Sequence, residues 1–326
     1  MGAGPYSLAL APARGWVPGG ARVDEGMRIA VTGSHGLIGG ALVRSLEGDG
    51  HRVVPVVRGT PGPSEVRWDI DAGEIDAAGL EGLDGVVHLA GAGIASSRWT
   101  EEHKAAVLHS RSRGTALLSE ALASLSEPPP VLVSGSAIGY YGDRGDEVLT
   151  EDSPPGEGFL PEVCLAWEAA TGLAASAGIR VAHVRTGIVL SPDGGALGKQ
   201  LLPFKLGLGG PAGSGHQWMP WISLDDEVGA IRFLLDHDVA GPVDLTAPHP
   251  VSNRVFATTL GKVLHRPAVL PIPRAVTHLP LGVGDLVENL LFSSARVLPA
   301  VLEEAGFAFR HATLEPALRD LLDRPA

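Results

Sequence analysis

"VTGSHGLIGGALV", residues 31–43, passes from an apolar run to a helical pattern through Gly33, Gly36 and Gly39, spaced three apart. The run before it, "RIAVTG" (28–33), is short, β-branched and closes on glycine, as a buried strand does. The stretch after it, "LIGGALVRSLEGDG" (37–50), has helical spacing and ends on glycine, where a C-cap is expected. A phosphate needs bare backbone N–H groups and the positive end of a helix, and side chains would block that approach. Gly33 permits the tight turn, Gly36 lets the backbone reach a pyrophosphate, and Gly39 lets the helix lie close on the strand. Ser34, His35, Leu37 and Ile38 complete the predicted dinucleotide loop. A glycine triplet by itself also marks ordinary turns, so the reading depends on the pattern of the chain beyond it.

From residue 52 onward, strands and helices alternate. "RVVPVVR" (52–58), "GVVHLAG" (85–91), "PVLVSGS" (130–136) and "RVAHVRTG" (180–187) read as strands. "TEEHKAAVLHSRSRGTALLSEALASL" (100–125) reads as one long helix or a broken pair, and "LPEVCLAWEAATGLAASAG" (160–178) as another helix. Thr100 is placed to cap the first, with Glu101 and Glu102 where the helix dipole favours negative charge. This pattern predicts an α/β fold, a doubly wound parallel sheet of the Rossmann type. After Gly187 glycine- and proline-rich loops take over, broken by helical pieces at 224–237 and 253–265. The expected division is a dinucleotide-binding domain over 27–247, with a loop excursion over 191–221, and a smaller C-terminal substrate lobe over 248–326.

The second strand decides which dinucleotide fits. An acidic side chain about 20 residues past the loop would hold a free ribose 2′-hydroxyl. Here the strand ends in Val57-Arg58-Gly59, and Arg58 can grip a 2′-phosphate with a charged fork. NADP(H) is therefore expected over NAD(H). Asp69 in "RWDID" either meets the adenine edge or closes a turn. Leu89, Ala90, Gly91 and Ser134, at the ends of their strands, are placed with the cofactor. So are Arg185 and Thr186, with Thr186 near the carboxamide.

A formal charge of −12 without a basic run argues against nucleic acid or an anionic membrane as partner. The single cysteine, Cys164, excludes an internal disulfide and suits a reducing cytoplasm. No stretch reads as a membrane span, because "LGLGGPAGSGHQWMPWISL" (206–224) is broken by glycine and proline and reads as a loop. Residues 1–26 have no periodicity and are expected to be a disordered extension, with an arginine-bearing transit leader as the alternative. The histidines show no metal-ligand spacing, so no metal is assigned.

Taken together, "TGSHGLIG", "HLAGAGIASSRWTEEHK", "SGSAIGYYG", "TEDSPPGEGFLPEVCLAWEAA", "RTGIVLSPDGGALGK", "GSGHQWMPWISLDD" and "LPAVLEEAGFAF" resemble the YfcH-like family. These are atypical extended short-chain dehydrogenases described as NAD-dependent epimerase/dehydratases. The resemblance runs from Met27 to near the C-terminus. It implies a Rossmann cofactor domain, a small C-terminal domain and nucleotide binding, but no substrate. It also implies a serine, tyrosine and lysine in the active site, the lysine lowering the tyrosine pKa. Ser136 matches the serine. Leu160 and Cys164 stand where the tyrosine and lysine should be, and Arg111 stands where a helix asparagine should be. "GYYGDRG" (139–145) is punctuated by glycine and reads as a loop, so Tyr140 and Arg144 are not the missing dyad.

Tyr140 or Tyr141 is then either a proton donor from that loop or a packing residue. Gln217, Trp218 and Trp221 either line a substrate cleft or clamp the lobes together. Two functions remain open. One is an NADP(H)-dependent oxidoreductase or epimerase acting on a small hydroxyl or carbonyl compound. The other is a catalytically silent NADP(H)-binding sensor or scaffold. The resemblance implies homodimers through the sheet-flanking helices, for which "HSRSRGTALLSEALASL" could serve; the sequence leaves the oligomeric state open.

Overall fold

Strands form where apolar β-branched runs occur, and their residues divide between the two faces of one sheet. The computed structural model describes residues 26–94, 98–273 and 292–324. The extension read over residues 1–26 therefore lies, Gly26 apart, outside the described residues, as do residues 95–97 and part of the C-terminal lobe.

The first half contains β1 (Arg28–Thr32), α1 (Leu37–Gly48), β2 (Arg52–Val57), β3 (Val66–Asp69), β4 (Glu74–Ile75) and β5 (Gly85–His88). Then come α2 (Glu101–Ala123), β6 (Val131–Ala137), β7 (Val148–Leu149), α3 (Phe159–Ala169), α4 (Gly172–Ser176) and β8 (Arg180–Thr186). They are followed by β9 (Ile188–Ser191), α5 (Gly195–Lys205), β10 (Trp218–Met219), β11 (Trp221–Ser223), α6 (Leu224–Asp236), β12 (Gly241–Leu245), β13 (Val251–Ser252) and α7 (Asn253–Leu264). The last pieces are β14 (Arg296–Val297) and the short helices Ala300–Glu304 and Leu314–Leu321.

The main sheet runs β12-β8-β6-β5-β1-β2-β3-β4, and every pairing is parallel except β3 with β4. The chain winds outward from β1 in both directions, so β1 and β5 flank the switch point where α/β sheets open a ligand crevice. Alternate residues face opposite layers. Ile29, Val31, Val131 and Val133 pack under α1 and α6, while Ala30, Leu132 and Val181 pack under α2 and α4. Both faces are thus covered, which parallel strands require.

Several elements differ from the sequence reading. The helix expected over 160–178 is two helices, α3 and α4, meeting at Thr171, whose hydroxyl donates to the Glu168 carbonyl at 2.8 Å. The stretch 206–224, read as a loop, contains β10 and β11; β11 pairs in parallel with β9. β12, which was not anticipated, extends the sheet beside β8. The long helix is unbroken, and Thr100 caps it by accepting from the His103 amide at 3.2 Å. Leu197, Leu201, Phe204, Phe256 and Leu260 build the core of the second lobe. Among the described residues no helix is long and apolar enough to cross a membrane.

Candidate active site

The glycine loop has the geometry its spacing implied. Gly33 has φ +69°, a left-handed conformation that disfavours any side chain. Gly39 packs so closely that an added Cβ would lie 2.2 Å from the Gly33 carbonyl oxygen. Gly36 is the N-cap of α1; no side chain caps it, and the first turn carries no acidic residue. The positive end of α1 therefore meets no competing side-chain anion, and an anionic group fits it.

The back of the loop is pinned by a buried histidine. The Thr32 hydroxyl accepts from the amides of Leu89 and Ala90, both at 3.0 Å. With those lone pairs taken, it donates to His88 Nδ1 at 2.8 Å, which leaves Nε2–H to donate to Thr115 at 2.8 Å. His88 is neutral, because burial and then the Arg111 charge press its pKa down to about 4.

A cleft of about 800 Å³ opens beside this loop and reaches the second lobe. Gly33, Gly36, Leu37, Ile38, Gly39 and Leu89 form its phosphate-loop side, and Ser136, Ile138, Leu160, Cys164 and Thr186 its middle. Lys199, Gln217, Trp218 and Asn253 form the wall contributed by the second lobe. Ser34, which is buried, and His35, which is exposed, are bonded to each other at 3.3 Å and do not line the cleft. Ala90 is held by Thr32, and Gly91 lies against the Arg111 guanidinium. Arg58 is exposed just past β2 and makes no ion pair among the described residues. Asp69 accepts from the Ala72 amide at 3.0 Å, the turn alternative of its two readings.

Ser136 sits at one end of a buried polar chain. Its hydroxyl donates to Glu168 Oε1 at 2.7 Å, and Arg185 grips both oxygens of that carboxylate at 2.8 and 3.0 Å. Burial alone would raise the Glu168 pKa, but the Arg185 and Ser136 hydrogen bonds outweigh it and hold Glu168 below the usual carboxylate range. Arg185 also donates to the Tyr141 hydroxyl at 3.0 Å, and that hydroxyl donates to Asp244 at 2.7 Å. Burial, then the neighbouring Glu151, pushes Asp244 well above its ordinary value.

This chain corrects four assignments. Tyr141 is fully buried, and burial followed by the Asp244 charge raises its pKa, so it offers no proton to the cleft. Tyr140 does not line the cleft either; the Arg185 guanidinium stacks on its ring at 3.5 Å. Arg185 is spent on Glu168 and Tyr141 and is not free for a cofactor. Ser134 is fully buried inside the sheet, away from the cleft, and its hydroxyl has no partner among the described residues.

Trp221 is corrected too. It is a core residue of the second lobe, with its indole N–H donating to the His249 carbonyl. Gln217 and Trp218 do line the cleft; Trp218 donates to Asp146 at 2.8 Å and carries the Arg296 guanidinium on its ring. Arg144 pairs with Glu147, not Tyr140. Leu160 and Cys164 face the cleft where a tyrosine and lysine were sought, and burial lifts the Cys164 thiol to about 11. Sequence reasoning missed Arg111 and Asn253 as lining residues and the pair Thr186–Glu227, whose hydrogen bond is 2.7 Å.

An uncapped phosphate loop at the switch point, a serine at the end of β6 and a lobe across the opening define a dinucleotide-fold protein of the epimerase type. The chain belongs to the NAD dependent epimerase/dehydratase family, whose pattern matches residues 29–246; residues 272–321 match the domain of unknown function DUF1731. Among its relatives is the epimerase family protein Mb2239 of Mycobacterium bovis, 41% identical over 91% of this chain and 98% of the relative. The crystal structure of human epimerase family protein SDR39U1 (isoform 2) with NADPH is 36% identical, with a TM-score of 0.83 over 92% of this chain and 100% of that one. A nucleoside-diphosphate sugar epimerase from Corynebacterium glutamicum is 37% identical, with a TM-score of 0.74 over 91% of this chain and 58% of that one.

Proposed function

We propose that this chain binds NADP(H) in the cleft and acts as an oxidoreductase or epimerase on a small hydroxyl- or carbonyl-bearing substrate. One observation carries the reading: the uncapped N-terminus of α1 and the Ser136 hydroxyl border the same cleft. NADPH in the human relative supports the choice of cofactor, and Arg58, exposed past β2, supports the 2′-phosphate. Gly33, Gly36 and Gly39 would hold the pyrophosphate, and Thr186 would face the nicotinamide end. A nicotinamide bound there supplies or accepts hydride at the substrate carbon.

The chain's own residues set the polarity of the substrate site. Glu168 is anionic and accepts the hydrogen bond of the Ser136 hydroxyl, so the serine oxygen presents its lone pairs to the cleft. That oxygen accepts from a substrate O–H and orients it. A panel of carbonyl and hydroxyl compounds with NADPH and NADP⁺ tests the proposal. On a turned-over compound, Ser136→Ala should lower kcat by about 10²-fold or more, and Tyr140→Phe should leave it unchanged.

The second reading, a catalytically silent sensor, is favoured by Leu160 and Cys164, which put apolar and thiol groups where the dyad would act. Tight NADPH binding without turnover of any compound on the panel would select it.

A further inference from the structure

Arg111 projects from α2 into the cleft and is 8% exposed. Its Nη1 donates to the carbonyl oxygens of Ala92 at 2.9 Å and Val107 at 3.3 Å. Its Nε and Nη2 make no hydrogen bond, and no carboxylate pairs with it among the described residues. The indole of Trp167 lies under the guanidinium at 4.9 Å. The titratable groups that feel its charge are His88, which is neutral, and the Cys164 thiol, which burial keeps protonated. Burial lowers the arginine's own pKa, with the thiol opposing weakly.

An enclosed guanidinium without a counter-anion is costly, and chains retain such groups where a ligand supplies the missing charge. The geometry is specific. Two carbonyls and an aromatic face fix the plane of the guanidinium, leaving its Nε/Nη2 edge to take a two-oxygen anion in a fork. Ser136 lines the same cleft and would take the reacting oxygen.

We propose that the substrate carries an oxyanion, a carboxylate or a phosphate, that docks on the free edge of Arg111 while its hydroxyl group donates to the Ser136 oxygen. This rests on the reading of the cleft as a dinucleotide and substrate site, and it narrows the substrate to an acid or a phosphate ester. Arg111 is then a substrate-binding residue contributed by α2.

Calorimetric titration of the full chain tests this, with oxamate as the carboxylate probe, methyl phosphate as the phosphate probe and oxamide as the uncharged control. Each is titrated at constant ionic strength, with and without NADPH, into wild type and Arg111→Met. At least one anion should bind wild type about tenfold or more tightly than oxamide, and Arg111→Met should lose that margin. Preference for oxamate identifies a carboxylate, and preference for methyl phosphate a phosphate. Equal binding of anions and oxamide overturns the proposal, as does an unchanged anion affinity in Arg111→Met. A variant that loses NADPH affinity but keeps the anion also overturns it, because the guanidinium would then serve the dinucleotide. If wild type binds no NADPH, the functional reading fails, and the titration without dinucleotide still decides the role of Arg111. Should Arg111→Met not fold, the rise in wild-type melting temperature with each anion against oxamide decides it instead.

Discussion

Replacing Glu227 by glutamine should remove a loss of stability that the wild-type chain suffers as pH rises. Glu227 opens α6 and is fully buried. One of its carboxyl oxygens accepts from Thr186, and the other has no partner among the described residues. Burial raises its pKa from 4.5 to about 8, against the weaker opposite pull of the Thr186 bond. Between those values the unfolded chain releases the proton while the folded chain keeps it. Folding is therefore undisturbed below pH 4.5 and progressively penalised up to about pH 8. At about 1.4 kcal/mol per pH unit, the whole window is worth at most about 5 kcal/mol, of which about 3 kcal/mol is gone by about pH 7. Glutamine keeps the shape and the Thr186 partner but does not titrate. Urea unfolding across the window gives the difference in free energy between wild type and variant, in which the titrations of His88, Asp244 and Glu151 cancel. That difference should move in favour of the variant by about 1.4 kcal/mol per pH unit. Parallel pH profiles for the two proteins would refute the buried, proton-holding carboxyl.

Three further substitutions separate architecture from binding. Tyr141→Phe takes the donor from Asp244 and an acceptor from Arg185; chemical unfolding should register a loss of about 1–3 kcal/mol, while NADPH affinity stays unchanged. Gly39→Ala drives a Cβ to 2.2 Å from the Gly33 carbonyl oxygen, so melting temperature and NADPH affinity should fall together, as thermal scans and titration would show. Arg58→Ala should weaken NADPH by about tenfold and leave NADH alone, as read by nucleotide-fluorescence titration.

What was legible in the sequence was local. The phosphate loop, Thr100 as a cap and the strands around β1 follow from spacing and residue type within a few positions. The glycines of "GYYGDRG" likewise show that Tyr140 and Arg144 are not a helical dyad. The rest depends on partners far along the chain. Tyr141 is sealed by Asp244, 103 residues away on β12, a strand too short and mixed in character to stand out. Trp221 looks like a cleft residue until β11 pairs with β9 and turns it into the second core. Arg111 was legible as a departure from its family's pattern, but its uncompensated charge is a property of three elements meeting. Glu227 sits beside Asp225 and Asp226, and no one-dimensional signal separates the fully buried acid from its exposed neighbour.

Titration of NADPH into the wild-type chain and into Gly36→Val tests the central claim most directly, with circular dichroism confirming that the variant folds. Gly36 borders the cleft at the uncapped end of α1, where a valine side chain would fill the space a pyrophosphate needs. Saturable binding to wild type, abolished in the folded variant, is the predicted result. Absence of binding to wild type, or equal affinity in a folded Gly36→Val, would contradict the assignment of this cleft to a dinucleotide.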